Sequence, residues 1–233
     1  RDLHLSLRRQ RQMCIRDRSK VENSVLNLGL FKNNVTFTFS NLAALINYSA
    51  TFAVSFLLSL YLQYIKNFSA QDAGLTLVCQ PVVQAVFSPF AGKLSDKVEP
   101  RIVASVGMAI TVIGLILLTF VGEHTALEFI ILTLALLGFG FAFFSSPNTN
   151  AVMSSVKRRF YGVASATLAT MRLIGQTFSM GIATTIFAIY VGRVQITPEH
   201  YLFFLQSIKV AFTVFSILCF IGIFASLARG KVR

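Results

Sequence analysis

Six apolar runs, at about 37–65, 73–91, 102–121, 127–147, 163–190 and 207–228, are joined by polar strings too short to hold a domain. A helix rises about 1.5 Å per residue and a bilayer's hydrocarbon core is about 30 Å thick, so each run can cross it. In hydrocarbon every backbone N–H and C=O needs a partner inside the protein, and helices of this length supply one within the segment itself. Composition agrees. The chain is 55% hydrophobic and 13% charged, with 23 Phe among 233 residues, whereas soluble domains carry about 25% charged residues. The expected fold is an all-α integral membrane protein with six transmembrane helices.

A net charge of +12 would suit a polyanion-binding surface, but the placement of the cations argues otherwise. Lys93, Lys97 and Arg101 share one loop, Lys157, Arg158 and Arg159 another, and Arg229, Lys231 and Arg233 the tail. The alternate loops hold only Lys66 and Arg193. That asymmetry is the positive-inside pattern; it predicts cytoplasmic termini and a multi-pass protein of the cell (inner or plasma) membrane. Basic charge here sets orientation in the bilayer, and no nucleic-acid partner is expected.

Residues 1–18 fit neither a span nor a signal peptide: six arginines and two aspartates, no apolar period. Met13-Cys14-Ile15-Arg16-Asp17-Arg18 reads as adapter or assembly sequence joined to a truncated frame, so 1–18 are set aside as non-native. Residues 19–35 become a cytoplasmic lead-in, 36–229 the six-helix body and 230–233 a cytoplasmic tail. Cys14, Cys79 and Cys219 have no paired spacing, and no metal or other cofactor is implied. No Walker string, nucleophile elbow or zinc pattern occurs, so no enzyme is read from the chain.

Polar residues inside the spans carry the functional signal. At 100° per residue, Ser40, Asn41, Asn47, Tyr48, Thr51, Ser55 and Ser59 fall within an arc of about 120°. Such a face is poorly placed against lipid and should line a cavity or a helix interface. In the second span Thr76, Gln80, Gln84 and Ser88 form a four-residue stripe, with Pro81 and Pro89 able to kink it. The fifth span holds Arg172, expected near the bilayer midplane. An arginine there costs roughly 2.5–3.5 kcal/mol on insertion scales, so it must face protein or water. Gln176 shares its face. Arg172 holds an anionic group, keeps a nearby acid deprotonated, or is a structural residue satisfied by backbone carbonyls. None of the nine acidic residues lies deep in a span, so no intramembrane carboxylate is available for proton coupling.

The loop 92–101, Gly-Lys-Leu-Ser-Asp-Lys-Val-Glu-Pro-Arg, has the order Gly-x-Leu-x-Asp-Lys-x-x-x-Arg. It resembles the signature cytoplasmic loop of major facilitator superfamily (MFS) transporters. Asn47-Tyr48-Ser49-Ala50-Thr51, Tyr61-Leu62-Gln63-Tyr64, Gln80-Pro81, Ser146-Pro147-Asn148 and Arg172-Leu173-Ile174-Gly175-Gln176 follow at matching spans. Over about 36–229 the chain is similar to the C-terminal half of a fourteen-span drug:proton antiporter of that superfamily. One departure stands in the loop, where Glu99 and Pro100 replace the pattern's glycine and basic residue.

The resemblance implies one half of a transporter, built as two inverted three-helix repeats over 37–121 and 127–228. It implies proton-coupled efflux of hydrophobic or cationic compounds by alternating access, with the coupling carboxylates in the missing N-terminal half. The partners would be that half, a small-molecule substrate, protons and the lipid bilayer. Gly92, Asp96, Lys97 and Arg101 would form a conformational loop, Asp96 near the next helix's N-terminus with Arg101 as its counter-charge. Asn41, Asn47, Tyr48, Thr51, Gln80, Gln84, Arg172 and Gln176 are the expected cavity residues. Other readings are export of an anionic metabolite or lipid, and an inactive truncated fragment or membrane scaffold.

Overall fold

The computed structural model describes residues 31, 34–192 and 200–230. The readings of 1–18 and of most of the lead-in, together with those of Arg193, Lys231 and Arg233, fall outside the described residues. Seven helices follow: α1 Val35–Tyr64, α2 Ala70–Leu77, α3 Cys79–Ser95, α4 Pro100–Thr119, α5 Leu127–Ser154, α6 Tyr161–Tyr190 and α7 Tyr201–Leu227. With α2 and α3 forming one span, Ala70–Ser95, six segments are long and apolar enough to cross a membrane. Among the described residues the fold is all helix and turn.

Local chemistry sets the helix ends. Asn34 caps α1, its side-chain oxygen accepting from the Phe37 N–H at 2.9 Å. The amide of the same side chain donates to the Ser155 carbonyl at 2.5 Å and so ties the start of α1 to the end of α5. Ser69 caps α2 by accepting from the Asp72 N–H at 3.1 Å. Pro100 opens α4 at a position where a missing N–H costs nothing. At the far end of α1, the Tyr61 hydroxyl donates to the Gly122 carbonyl at 2.7 Å and Lys66 Nζ to the Glu123 carbonyl at 2.6 Å.

The second span is broken rather than gently kinked. Its helix is interrupted at Val78, three residues before Pro81. Pro81 has no N–H for the Leu77 carbonyl, and its ring crowds that carbonyl, so the disruption falls on the turn preceding the proline. Pro89 sits inside α3 without ending it. Most helices also run beyond the apolar runs read from sequence, because a helix continues past the hydrocarbon boundary.

Packing follows an exchange. The first helix of each triplet packs on the second and third of the other: α1 on α6 and α7, α5 on α3 and α4, with α4 against α7. Two inverted three-helix repeats produce this contact pattern. Backbones touch where glycine permits: a Cβ on Gly107 would lie 2.5 Å from the Phe144 nitrogen, and one on Gly140 2.9 Å from the Gly107 carbonyl oxygen. Small residues at a seam are how membrane helices gain contact where apolar burial offers no advantage over lipid. The helices are not equally enclosed. In the apolar window of each span, 56% of α1 and α4 is buried, against 6% for the α2–α3 span and 17% for the α6 span. The bundle therefore has a largely open side carrying α3 and α6.

Candidate functional site

A cavity of about 350 Å³ opens among α1, α3, α5 and α6. Tyr48, Thr51, Phe52, Ser55 and Phe56 come from α1, Gln80 and Gln84 from α3, Phe141 from α5 and Met180 from α6. The Tyr48 and Phe141 rings meet edge to face with centroids 5.2 Å apart, which fixes the Tyr48 ring at the cavity wall. Gln80 Oε1 is buried without a hydrogen-bond partner. Aromatic walls with a few convergent amides and hydroxyls are the usual make-up of a small-molecule pocket.

Arg172 stands behind this wall. Its guanidinium carbon lies 5.5 Å from the centroid of the Tyr48 ring, within cation–π range. Nη2 donates to Thr149 Oγ1 at 2.8 Å, while Nε is buried with no partner. Arg172 lies eleven residues into the thirty-residue α6. At about 1.5 Å per residue and about 30 Å of hydrocarbon centred on that helix, its Cα falls roughly 9 Å below one boundary. That is shallower than the midplane expected from sequence, because α6 at thirty residues is longer than the hydrocarbon it crosses, so part of its first turns lies outside. Thr149, near the C-terminal end of α5, draws the guanidinium toward the same boundary.

Four expected cavity residues, Tyr48, Thr51, Gln80 and Gln84, line this cavity. Arg172 joins it through Tyr48, and Gln176 is half-buried on the same helix outside the lining. Asn41 and Asn47 are placed elsewhere, in the packed interior at 1% and 0% exposure. Asn41 Nδ2 donates to the Phe37 carbonyl of its own helix at 2.8 Å, and the Asn47 amide faces Cys219 Sγ at 4.0 Å. The polar arc of α1 therefore divides. Ser40, Asn41 and Asn47 face the half-bundle's own core, and Tyr48, Thr51 and Ser55 face the open side. Phe52, Phe56, Phe141 and Met180, none of them in the polar stripes, also belong to the wall. Their apolar character made them indistinguishable from lipid-facing residues; the tyrosine–phenylalanine pairing across helices shows only in three dimensions.

In the 92–101 loop, Gly92 lies where a Cβ would meet Ser146 Oγ at 3.1 Å, so glycine lets α3 approach α5 here. One turn on, Asn150 Nδ2 donates to Ser95 Oγ at 2.9 Å and pins the same end. Asp96 ends α3 and Lys97 is exposed. Arg101 Nε lies 3.9 Å from Glu99 Oε2, so the glutamate that departs from the loop pattern is an acidic neighbour of that arginine.

The residue that the sequence reading missed is Arg229. Counted there among the solvated tail cations, it is 0% exposed. Nε donates to the Ser226 carbonyl at 2.7 Å, Nη1 to Asn148 Oδ1 at 3.0 Å and Nη2 to Ser226 Oγ. Its own carbonyl accepts from Thr36 Oγ1 at 2.9 Å. Burial pushes its pKa down to about 10, still far above neutrality, so the guanidinium remains charged. Ser226, a hydroxyl three residues earlier in the last turn of α7, was the available signal.

Comparison with known proteins agrees with this architecture. The chain is 29% identical over 204 residues to the riboflavin transporter RibZ of Clostridioides difficile, covering 88% of this chain and 44% of that protein. It is 27% identical over 219 residues to the lincomycin resistance protein LmrB of Listeria innocua, covering 91% and 46%. With the uncharacterized transporter YebQ of Escherichia coli it shares 32% identity over 141 residues, covering 60% and 31%. The chain thus spans about half the length, or less, of these curated relatives. Six membrane-length helices in exchanged triplets meet a family model, Major Facilitator Superfamily, that matches residues 41–232, and the chain belongs to that superfamily.

Proposed function

We propose that this chain is the C-terminal half of a fourteen-span drug:proton antiporter that exports hydrophobic or cationic compounds by alternating access. The cavity carries this reading. Its phenylalanines, tyrosine and methionine offer a polarisable apolar wall, and Gln80, Gln84, Thr51 and Ser55 offer sparse, uncharged hydrogen bonding. Such a wall accepts many apolar or delocalised-cation ligands without demanding one shape. It lies on the side of the bundle where α3 and α6 are least enclosed, the side a second six-helix unit would cover. The named resistance role of LmrB supports the drug reading. Protons would be handled by the complementary half, since no Asp or Glu of this chain lies deep in a span.

A second reading, export of an anionic metabolite or lipid, rests on Arg172, whose unpartnered Nε and ring contact with Tyr48 lie beside the wall. A relative whose printed name is riboflavin transporter shows that the matched proteins are not all named for drug resistance. On either reading the basic loops and both termini face the cytoplasm of the cell membrane.

The test is transport by the chain joined to its complementary half, in cells lacking other efflux pumps and then in liposomes with an imposed proton gradient. Faster loss of preloaded ethidium, abolished by collapsing the gradient, is expected. Cysteine placed at Lys97 should resist impermeant thiol reagents on intact cells. No ethidium efflux from well-inserted protein removes the drug reading, and gradient-independent efflux removes the coupling.

A further inference from the structure

Away from the transport cavity, α4 and α7 enclose a second concavity of about 350 Å³, walled by residues that include Val112, Ile116, Thr213, Ile217 and Phe220. Neither helix contributes to the first cavity. Ile116, Ile217 and Phe220 are 45%, 55% and 52% exposed, so the groove is open to the surrounding bilayer. Its hydroxyls are already used. Thr213 Oγ1 donates to the Lys209 carbonyl at 2.8 Å and Ser216 Oγ to the Phe212 carbonyl at 2.7 Å. Their donors turned inward to the helix, these side chains present the groove with a mainly hydrocarbon wall.

Lys209 stands one helical turn above Thr213, on the same face of α7 as Thr213, Ser216 and Phe220. It is exposed and has no carboxylate within 4.0 Å among the described residues. It lies eight residues into a 27-residue helix. That helix is about 40 Å long against about 30 Å of hydrocarbon, so the Lys209 Cα sits roughly 7 Å below the headgroup boundary. A lysine stem reaches about 6 Å, so the ammonium snorkels to within about 1 Å of the hydrocarbon–headgroup boundary on the face of α7 that walls the groove, where a lipid phosphate can meet it.

We infer that Lys209 and the α4–α7 groove form a site for one anionic phospholipid, its phosphate on the lysine ammonium and an acyl chain between the helices. The leaflet is the one in which α7 begins, opposite the 92–101 loop. Charge complementarity selects the headgroup: a cation at the headgroup boundary, with no carboxylate within 4.0 Å among the described residues, gains from an anionic lipid what a zwitterionic lipid, carrying its own ammonium, offers less well. The groove supplies what a surface lysine lacks, a fixed seat for the chain beneath that headgroup. This assignment is independent of the transport reading.

The experiment is native mass spectrometry of the full 233-residue chain in detergent with added dioleoyl phosphatidylglycerol or dioleoyl phosphatidylcholine. One phosphatidylglycerol should be retained in preference to phosphatidylcholine. Lys209→Gln should lower that retention by about fivefold, and Lys209→Arg should keep it. Ile217→Trp, placing an indole in the groove, should lower retention even with Lys209 intact. Both positions are exposed, so packing is undisturbed, and circular dichroism confirms this before each measurement. Undiminished retention by Lys209→Gln, or equal retention of both lipids by the unaltered chain, overturns the headgroup assignment. Undiminished retention by Ile217→Trp overturns the groove.

Discussion

Arg172 and Arg229 are held by adjacent residues of one helix, and they differ in almost everything else. Asn148 accepts from Arg229 and Thr149 accepts from Arg172. On Arg229 each of three nitrogens donates to the protein, and the side chain is fully enclosed. Its partner Ser226 also accepts from Ser105 Oγ at 2.9 Å, so one buried network joins the ends of α1, α4, α5 and α7. Arg172 has one side-chain hydrogen bond, an aromatic ring beside it and a buried Nε with nothing to bind. A buried charge is tolerable when hydrogen bonds replace its water. Arg229 meets that condition, which marks it as a pin; the half-buried Arg172 leaves its Nε unpartnered, and on the proposed reading that group is available to a substrate.

The largest effect should come from removing the pin. Arg229→Ala leaves Asn148 Oδ1 and Ser226 hydroxyl and carbonyl groups buried without their donor and opens a void, a loss of roughly 2–4 kcal/mol. Asn148→Ala keeps the charge but strips an acceptor from it, for about 1–3 kcal/mol. Thermal unfolding in detergent, followed by a thiol-reactive dye, would measure both, because Cys219 is fully buried in the folded bundle. If Arg229→Ala melts with the unaltered chain, the pin assignment fails and the contrast with Arg172 disappears.

Arg172→Ala should move stability by less than about 1 kcal/mol, because the half-buried guanidinium gives up one hydrogen bond and one ring contact while its desolvation cost is relieved. Transport by the chain joined to its complementary half should nevertheless be lost. Lysine keeps the charge without the planar fork, so Arg172→Lys should restore it in part. A destabilisation matching that of Arg229→Ala would make both arginines pins. Normal transport by the alanine variant would remove Arg172 from the functional set.

That the two arginines were told apart only in three dimensions shows where the sequence stops being informative. The six spans follow from run length, and the family likeness from short strings around Gly92, Asn47 and Arg172, since both are properties of consecutive residues. An angular plot of α1 also picks out its polar arc, although apolar residues outside that arc, such as Ala53 and Leu57, are equally buried. What it cannot separate is the bundle's core from its open cavity, as the polar arc supplies both; Asn47 and Tyr48 are neighbours with different destinations. Depth along an axis is misjudged where a helix is longer than the hydrocarbon it crosses, as at Arg172. Arg229 was hidden for a related reason: a cation after the last apolar residue looks solvated unless one knows that Asn148 and Ser226 close over it. The α4–α7 groove is likewise a relation between two helices 93 positions apart at Ile116 and Lys209, and neither helix signals it alone.

The smallest and most discriminating effect is expected at Thr149. Its hydroxyl donates to the Ser145 carbonyl at 2.8 Å within α5 and accepts from Arg172. Valine keeps the branched shape and removes both roles. The Ser145 carbonyl retains its place in the helix, and Arg172, being half-buried, can turn toward the open cavity for water. Thr149→Val should therefore cost less than about 1 kcal/mol, below the loss at Asn148→Ala one residue earlier. Freed from its tether, the guanidinium would no longer be positioned over Tyr48, so the apparent KM for transported substrate should change several-fold while maximal rate changes less. The two neighbouring substitutions then separate the roles: stability falls at 148, substrate handling changes at 149. Should Thr149→Val melt lower than Asn148→Ala with KM unchanged, the assignments are reversed, and Arg172 is the residue that holds α5 and α6 together.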